Sequence, residues 1–187
     1  MSNALRVDSF DESVLITFTR PEIRNPLSVV VVEELIKVLG NLARQDKVRR
    51  IDFTGSDNVF ASGADLREIR RLDVIDAREF AVRGQRLMNL IELMPQETRA
   101  LINGACYGGA LDLALACDRR IASSNATFCH PGVRLGIITG WGGTQRLPRL
   151  IGIAKAIEMF FTATPFSSTH AHEMGLIDHI DNSHFGV

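Results

Sequence analysis

Short apolar strands and amphipathic helices alternate along almost the whole of this 187-residue sequence. The stretches Leu5 to Val7 and Val14 to Thr19 alternate apolar and polar residues around a short charged turn, which predicts an antiparallel hairpin. Apolar residues then recur from Val31 to Leu42 with the period of a helix that ends near Arg44. A chain of this kind is expected to fold as an α/β protein whose sheets are covered by helices.

The alternation continues through the rest of the chain. Further strands are predicted at Arg50 to Thr54, Thr98 to Ile102 and Arg120 to Ala122. Further helices are predicted for the apolar stripe of Phe80, Gly84, Leu87, Ile91 and Met94, which Pro95 ends, for a segment opening at Gly108, and for Thr144 to Leu150 and Ala154 to Phe161. The segment from Asn125 to Gly143 is predicted to be a long loop without regular structure, and such loops tend to be functional.

Composition and charge exclude several classes of function. The 21 basic and 22 acidic residues are spread evenly and give no basic surface for nucleic acid or an anionic membrane. No apolar run is long enough to span a bilayer, and the N-terminus lacks the pattern of a secretion signal. Cys106, Cys117 and Cys129 have neither a CxxC pair nor a zinc-like spacing. We therefore expect one cytoplasmic domain over residues 1–187, with reduced cysteines, no metal, and neither nucleic acid nor membrane as a partner.

A segment of small residues, Phe60 to Leu66, follows the strand that begins at Arg50. Small residues allow the backbone to approach a ligand closely, and Asp65 is placed to accept hydrogen bonds from the first amides of the next helix. Taken alone, the segment is explained more simply as a tight turn that leads into a capped helix.

A second segment, Asn103 to Ala114, carries paired glycines where a strand leads into a helix. The amide of Gly109 points out of the helix N-terminus, where a negative charge is favoured. Asp112 lies one helical turn further along, on the same face. The alternative is that Gly108 and Gly109 only allow close helix packing and Asp112 is an ordinary first-turn charge, and this segment alone does not distinguish the two.

Five segments, taken in order and with their spacing, resemble the enoyl-CoA hydratase/isomerase (crotonase) family. They read RPEIRNPLS, FASGADLREI, NGACYGGALDLALACD, LGIITGWGGTQRLPRLIG and MGLIDHI, and together they extend over nearly the entire chain. The resemblance implies the crotonase-like fold, a spiral of strand-strand-helix units, assembled as a homotrimer or a dimer of trimers. It also implies an acyl-CoA thioester as the partner, with coenzyme A as part of the substrate and no separate cofactor.

The resemblance also implies roles for individual residues. The amides of Ala64 and Gly109 match the two donors of an oxyanion hole, which hold the thioester oxygen as an enolate forms, and Asp112 matches a catalytic carboxylate. Residues that the resemblance places around the substrate are Arg24, Ala61, Ser62, Asp65, Leu66, Arg67, Gly108, His130, Pro131, Gly132 and Leu135. Arg24 and Arg67 match basic positions near the coenzyme A phosphates, although a solvated surface charge explains each arginine equally well.

One catalytic position departs from the family's pattern. Hydratases of the family use two glutamates, whereas this sequence has Asp112 at the first position and Gly132 at the second. General acid-base catalysis requires a titratable group within hydrogen-bond reach of the moving proton, and glycine has none. Simple hydration by two carboxylates is therefore not expected, although an acyl-CoA enzyme of the hydratase or isomerase type remains the main prediction.

Three alternatives follow from this departure. In the first, Asp112 alone transfers a proton, as in a one-carboxylate isomerase. In the second, space beside Gly132 admits a larger group, a water or a small anion, as in relatives that decarboxylate CoA thioesters, and His130 titrates nearby unless backbone or solvent satisfies it.

In the third alternative the chain is a non-catalytic paralogue that binds CoA esters or serves as an assembly subunit. Its basis is the C-terminus, because the sequence stops soon after MGLIDHI, where members of the family continue into further helices. A C-terminal helical segment that is missing or shortened in this way predicts an exposed apolar face on the core.

Overall fold

A computed structural model describes residues 3–183, so Met1, Ser2 and the last four residues, to which the predictions for the two termini refer in part, lie outside it. The strands are β1 (Leu5–Phe10), β2 (Ser13–Phe18), β3 (Pro26–Leu27), β4 (Arg50–Thr54), β5 (Val59–Ala61), β6 (Gly63–Ala64), β7 (Glu97–Ile102), β8 (Ala105–Tyr107), β9 (Arg119–Ala122), β10 (Thr127–Cys129), β11 (Phe166–Ser167) and β12 (His179–Ile180). The helices are α1 (Val29–Leu42), α2 (Leu66–Ile69), α3 (Val74–Glu92), α4 (Gly109–Ala116), α5 (Gly143–Ile151), α6 (Ile153–Thr162) and α7 (Ser168–Glu173), with 3-10 helices at Pro21–Ile23 and Pro131–Leu135.

The larger sheet has six strands in the order β1-β2-β4-β7-β9-β12. The predicted hairpin of β1 and β2 is confirmed as an antiparallel pair, and the remaining neighbours are parallel. Parallel strands require crossover connections, and α1, α3 and α4 supply them. The predicted order of strand, strand and helix is therefore confirmed.

Helix α1 shows how the sequence sets an element that covers the sheet. Ser28 is its N-cap and accepts a hydrogen bond from the Val31 amide at 3.4 Å. The apolar stripe from Val31 to Leu42 faces inward, and Leu35 and Leu39 are fully buried. Burying two leucine side chains contributes about 3 to 6 kcal/mol to folding.

The smaller sheet has four strands in the order β11-β10-β8-β5, in which β5, β8 and β10 are parallel. The prediction of an unstructured loop from Asn125 to Gly143 was wrong in part, because β10 and the 3-10 helix Pro131–Leu135 lie within it. A three-residue strand is too short to show a period in sequence. It forms because Thr127 to Cys129 pairs with Ala105 to Tyr107.

Two further expectations concern apolar surface and thiols. Helix α6 exposes Ile153, Ile157 and Phe161 on successive turns, with Phe161 73% exposed, in agreement with the predicted apolar face. The three cysteines are buried and none is in a disulfide. Over residues 3–183, none of the helices combines the length and the apolar character that crossing a bilayer demands.

Candidate active site

A cavity of about 620 Å³ opens at the carboxyl ends of β5, β8 and β10. Parallel strands end at one edge, so these three deliver Ser62, Gly108 and His130 to the same place. The Gly108 amide donates to the Cys129 carbonyl at 2.8 Å and so joins the second segment to the third, and the Ser62 amide donates to the Arg24 carbonyl at 2.9 Å, which ties the first segment to the loop after β2. The sheet therefore brings together segments that lie far apart in the sequence.

The cavity wall is mostly apolar. Its apolar side chains include Ile69, Leu72, Phe80, Val133, Ile137, Ile138, Trp141, Phe160 and Phe161. Among residues 3–183, Ser62, His130 and Thr139 supply the hydroxyl and titratable side chains of the wall, and no carboxylate lines it. His130 is thus the one titratable side chain of the described wall.

The backbones of Ala64 and Gly109 meet at the edge of this cavity, which both residues line. A Cβ placed on Gly109 would lie 3.3 Å from the amide nitrogen of Ala64. Gly109 is the first residue of α4, so its N–H has no acceptor within the helix. Two main-chain segments from separate strands therefore converge at one point, with the positive end of a helix dipole behind them.

Asp112 lies behind the cavity wall rather than in it. Its side chain is fully buried, and it is absent from the residues that line the cavity. Thr139, which does line the cavity, donates its hydroxyl hydrogen to Asp112 Oδ2. His130 Nε2 lies 3.5 Å from Asp112 Oδ1, and neither of these two buried atoms has a hydrogen-bond partner among residues 3–183.

Burial dominates the electrostatics of this pair. It raises the pKa of Asp112 to about 7, although the hydrogen bond from Thr139 and the charge of Arg146 oppose the rise. Burial also lowers the pKa of His130 to about 4. At neutral pH the imidazole is therefore uncharged, and the carboxyl group of Asp112 is close to the midpoint of its titration.

The other predicted residues divide into two groups. Ser62, Leu66, Gly108, Pro131, Gly132 and Leu135 line the cavity with Ala64, Gly109 and His130. Ala61 is buried in β5, and the structure places Arg24, Asp65 and Arg67 near the cavity without placing them in its wall. Asp65 caps α2 by accepting from the Arg67 amide at 2.9 Å, as predicted, and the Arg67 guanidinium holds the pKa of that carboxyl below its usual value.

The space expected beside Gly132 is occupied by backbone, which corrects one of the predictions. A Cβ on Gly132 would lie 2.5 Å from the carbonyl oxygen of Ile137, and the Ile137 amide donates to the Gly132 carbonyl at 3.0 Å. Gly132 therefore belongs to a tight turn that closes on itself. The turn was not predicted, because the 3-10 helix Pro131–Leu135 lies in a segment that was expected to have no regular structure.

This turn predicts the response to larger residues at position 132. Gly132→Ala is expected to lower the free energy of unfolding by about 1 to 3 kcal/mol, as overpacking does, and Gly132→Glu is not expected to restore hydration by two carboxylates. Gly140→Ala is the matched control, because its added Cβ would lie at an ordinary 3.6 Å from Ala81 Cβ. Urea unfolding of both variants measures the difference in stability. Equal urea midpoints for Gly132→Ala and Gly140→Ala would contradict the tight contact between Gly132 and Ile137.

Residues that the sequence analysis missed complete the site. Thr139 contacts Asp112 from 27 positions further along the chain, and no spacing rule connects the two. A Cβ on Gly143 would overlap the Asp112 carboxylate, and one on Gly84 would overlap the Trp141 ring. The run Thr139 to Gly143 was predicted only as the end of a long loop and as part of a family motif, and its polar and aromatic members were not predicted as site residues.

Similarity to known proteins indicates the family of the chain. The sequence profile of the family described as Enoyl-CoA hydratase/isomerase matches residues 10–184. The Short-chain-enoyl-CoA hydratase of Clostridium acetobutylicum is 36% identical over 167 residues, which are 89% of this chain and 64% of that protein. Human Enoyl-CoA hydratase domain-containing protein 2, mitochondrial, is 42% identical over 165 residues, 88% of this chain and 56% of that protein.

A solved structure shows the same fold. The enoyl-CoA hydratase of Bacillus anthracis superposes with a TM-score of 0.92 at 35% identity, covering 98% of this chain and 72% of that one. The spiral of strand-strand-helix units, with an apolar cavity where parallel strands end, defines a crotonase-type protein. The chain belongs to the enoyl-CoA hydratase/isomerase family. It spans less than two thirds of the length of either curated relative described above.

Proposed function

We propose that this protein binds an acyl-CoA thioester in the cavity and stabilises the enolate formed from it, in a reaction of the hydratase or isomerase type. The observation that carries the proposal is the convergence of the Ala64 and Gly109 backbones, where a Cβ on Gly109 would lie 3.3 Å from the Ala64 nitrogen. Removing a proton next to a thioester, or adding a nucleophile to its conjugated double bond, places negative charge on the thioester oxygen. Two amides fixed before the reaction stabilise that charge, each by about 3 to 4 kcal/mol.

In this proposal Asp112 supplies the acid-base function. Its pKa of about 7 suits a group that must both take up and release a proton at neutral pH. Arg24 and Arg67 near the coenzyme A phosphates stay predictions, as do the homotrimer or dimer of trimers and the cytoplasmic location.

A decarboxylase is the second candidate, and the lack of a carboxylate in the described wall favours it. When a malonyl-type thioester breaks its carbon-carbon bond, carbon dioxide leaves and the electron pair passes into the enolate. The oxyanion hole alone promotes this step, and one proton donor completes the product. A non-catalytic CoA-ester-binding subunit is the third candidate.

The three candidates predict different products. We expect the purified protein to bind crotonyl-CoA and methylmalonyl-CoA, with binding followed by the fluorescence of Trp141, the single tryptophan, which lines the cavity. Mass spectrometry of the incubated thioesters then separates the candidates. A hydroxylated or isomerised crotonyl-CoA supports the main proposal, loss of carbon dioxide supports the decarboxylase, and binding without any product supports the third candidate. Failure to bind either thioester would overturn all three.

A further inference from the structure

We propose that His130 is the residue that exchanges the proton with the thioester, and that Asp112 is a positioning residue acting on it from behind the cavity wall. The inference rests on the proposed function and deepens it. It replaces direct proton transfer by a carboxylate with transfer through a buried imidazole and carboxyl pair.

The first argument is access. Asp112 has no exposed side-chain surface and lies outside the residues that form the cavity. His130 is 97% buried but belongs to the wall, and it is the single titratable side chain of that wall within residues 3–183. A group that moves a proton must come within hydrogen-bond reach of the reacting atom, and a thioester in the cavity would contact His130 in the wall and not Asp112 behind it.

The second argument is that the two side chains lack other partners. Nε2 of His130 and Oδ1 of Asp112 lie 3.5 Å apart, and each is a buried polar atom without a hydrogen bond in the part of the chain that the structure describes. Leaving both unpaired costs about 1 to 3 kcal/mol per group, so a shared proton between them is favoured. The ring is held in place by Phe160, whose centroid lies 5.0 Å away.

The third argument is the position of His130 relative to the amides. The carbonyl of the preceding residue, Cys129, accepts from the Gly108 amide at 2.8 Å. This bond fixes the backbone before His130 against the residue that precedes Gly109. The proton-exchanging ring and the amide that holds the thioester oxygen are therefore carried by hydrogen-bonded neighbours.

The proposed step balances without another reactant. The Cα–H bond of the thioester breaks, its electron pair moves into the enolate, and the proton goes to Nδ1 of the neutral imidazole. The proton on Nε2 passes to Oδ1 of Asp112, which ends as a carboxylic acid beside a neutral imidazole. The charge that leaves the carboxylate equals the charge that appears on the enolate oxygen, and reversal of the step returns the proton to carbon.

Several charged or titratable groups face the pair and set its pH dependence. Arg146 of α5 and Cys106 of β8 surround Asp112 together with His130, and Thr139 donates a hydrogen bond to it. The pair removes protons from carbon once Asp112 has lost its own proton. The exchange rate is therefore expected to rise with pH through about 7, which matches the pKa of Asp112.

The test uses butyryl-CoA in D₂O, with deuterium uptake at the α-carbon followed by mass spectrometry. We expect His130→Gln and His130→Phe to lower the exchange rate at least a hundredfold while the affinity for butyryl-CoA, followed by Trp141 fluorescence, changes by less than about threefold. His130→Phe keeps an aromatic ring against Phe160 and so provides a variant with the packing largely retained. His172→Gln, on the exposed face of α7, is the matched control and is expected to exchange like the wild type.

The outcomes separate this inference from the proposed function. If the wild type exchanges and both His130 variants exchange within about threefold of it, Asp112 reaches the substrate directly and the inference is overturned. Loss of butyryl-CoA binding in both folded variants would also overturn it, because His130 would then be needed for binding. A wild type that binds butyryl-CoA without any exchange would refute the proposed enolate chemistry itself.

Discussion

Replacing Asp112 with asparagine is expected to lower α-proton exchange at least a hundredfold, since loss of a positioned general acid-base group typically costs a factor of 10² to 10⁴. Asparagine has nearly the same shape as aspartate and is accommodated beside Thr139 and Gly143 without new contacts. The amide takes up no proton, so the rise of the rate through pH 7 should disappear with it. Deuterium uptake between pH 5 and pH 9 measures both effects, and an unchanged rate would show that Asp112 has no part in the chemistry.

The same variant is expected to be more stable than the wild type above pH 7. The pKa of Asp112 is about 7 in the folded protein and near 3.8 when the chain is unfolded, so the folded state binds the proton more tightly. The stability supplied by this group is complete below about pH 4 and is lost as the pH rises to 7. Asn has no such loss, so the free energy of unfolding of Asp112→Asn should exceed that of the wild type by about 4 kcal/mol at pH 8.

The contribution of His130 to stability changes with pH in the opposite direction over part of this range. Its pKa is about 4 in the folded protein, below the ordinary value of 6.5, so its contribution is lost as the pH falls from 6.5 to 4. The two contributions offset each other in the wild type between about pH 4 and 6.5. Urea unfolding of wild type and Asp112→Asn at pH 5 and pH 8 is therefore informative, and a variant less stable than the wild type at pH 8 would contradict the assigned burial of the carboxylate.

Gly63→Ala is expected to lower the free energy of unfolding by about 2 to 5 kcal/mol and to lower α-proton exchange at least a hundredfold. The added Cβ would lie 2.5 Å from the Gly109 nitrogen and 2.6 Å from the Tyr107 carbonyl oxygen, and both are backbone atoms that cannot rotate away. Overpacking of this kind costs about 1 to 3 kcal/mol, and the φ of +85° at Gly63 adds about 1 to 2 kcal/mol for any residue with a Cβ. The strain pushes α4 away from Ala64, which separates the two amides.

Gly152→Ala is the matched control for this prediction. Gly152 has the same φ of +85°, but a Cβ there would meet no atom within 4 Å. Its φ of 85° and ψ of 157° are adopted essentially by glycine alone, so Gly152→Ala should show only the backbone penalty of about 1 to 3 kcal/mol, with exchange close to that of the wild type. Urea midpoints and deuterium uptake, measured below the unfolding temperature of both variants, give the comparison. Equal losses of stability and of exchange rate in the two variants would contradict this prediction, because they would show that α4 accommodates the added Cβ at Gly63 without strain.

The sequence was sufficient for the elements that carry a clear period. The hairpin of β1 and β2, the buried stripe of α1 and the strand Arg50 to Thr54 were predicted close to their observed bounds. A period of two or of 3.6 residues is a local property of the chain, and burial of one face is enough to select it. The short strands β8 and β10 were missed for the same reason, because three residues show no period and form strands only through pairing within the smaller sheet, where β8 lies between β5 and β10 and β10 lies between β8 and β11.

The residues around the cavity show a similar division. The paired glycines at a helix start and a carboxylate one turn later pointed to Gly109 and Asp112 as features of local sequence, and the resemblance to the family added Ala64. The tertiary structure decided which of these groups faces the cavity and which lies behind it. Asp112 is turned toward His130 and Thr139 by the packing of α4 against α5, and that packing depends on contacts between residues far apart in the chain.

The sequence by itself thus determined the family, the order of the elements and the segments that meet at the site. Only the tertiary structure decided the access of each side chain to the cavity, the raised pKa of Asp112 and the closed turn at Gly132. The physical reason is that burial and desolvation depend on every segment packed around a group. A local pattern in the sequence indicates which face of a helix or strand is buried, but it does not indicate which atoms of other segments will cover that face.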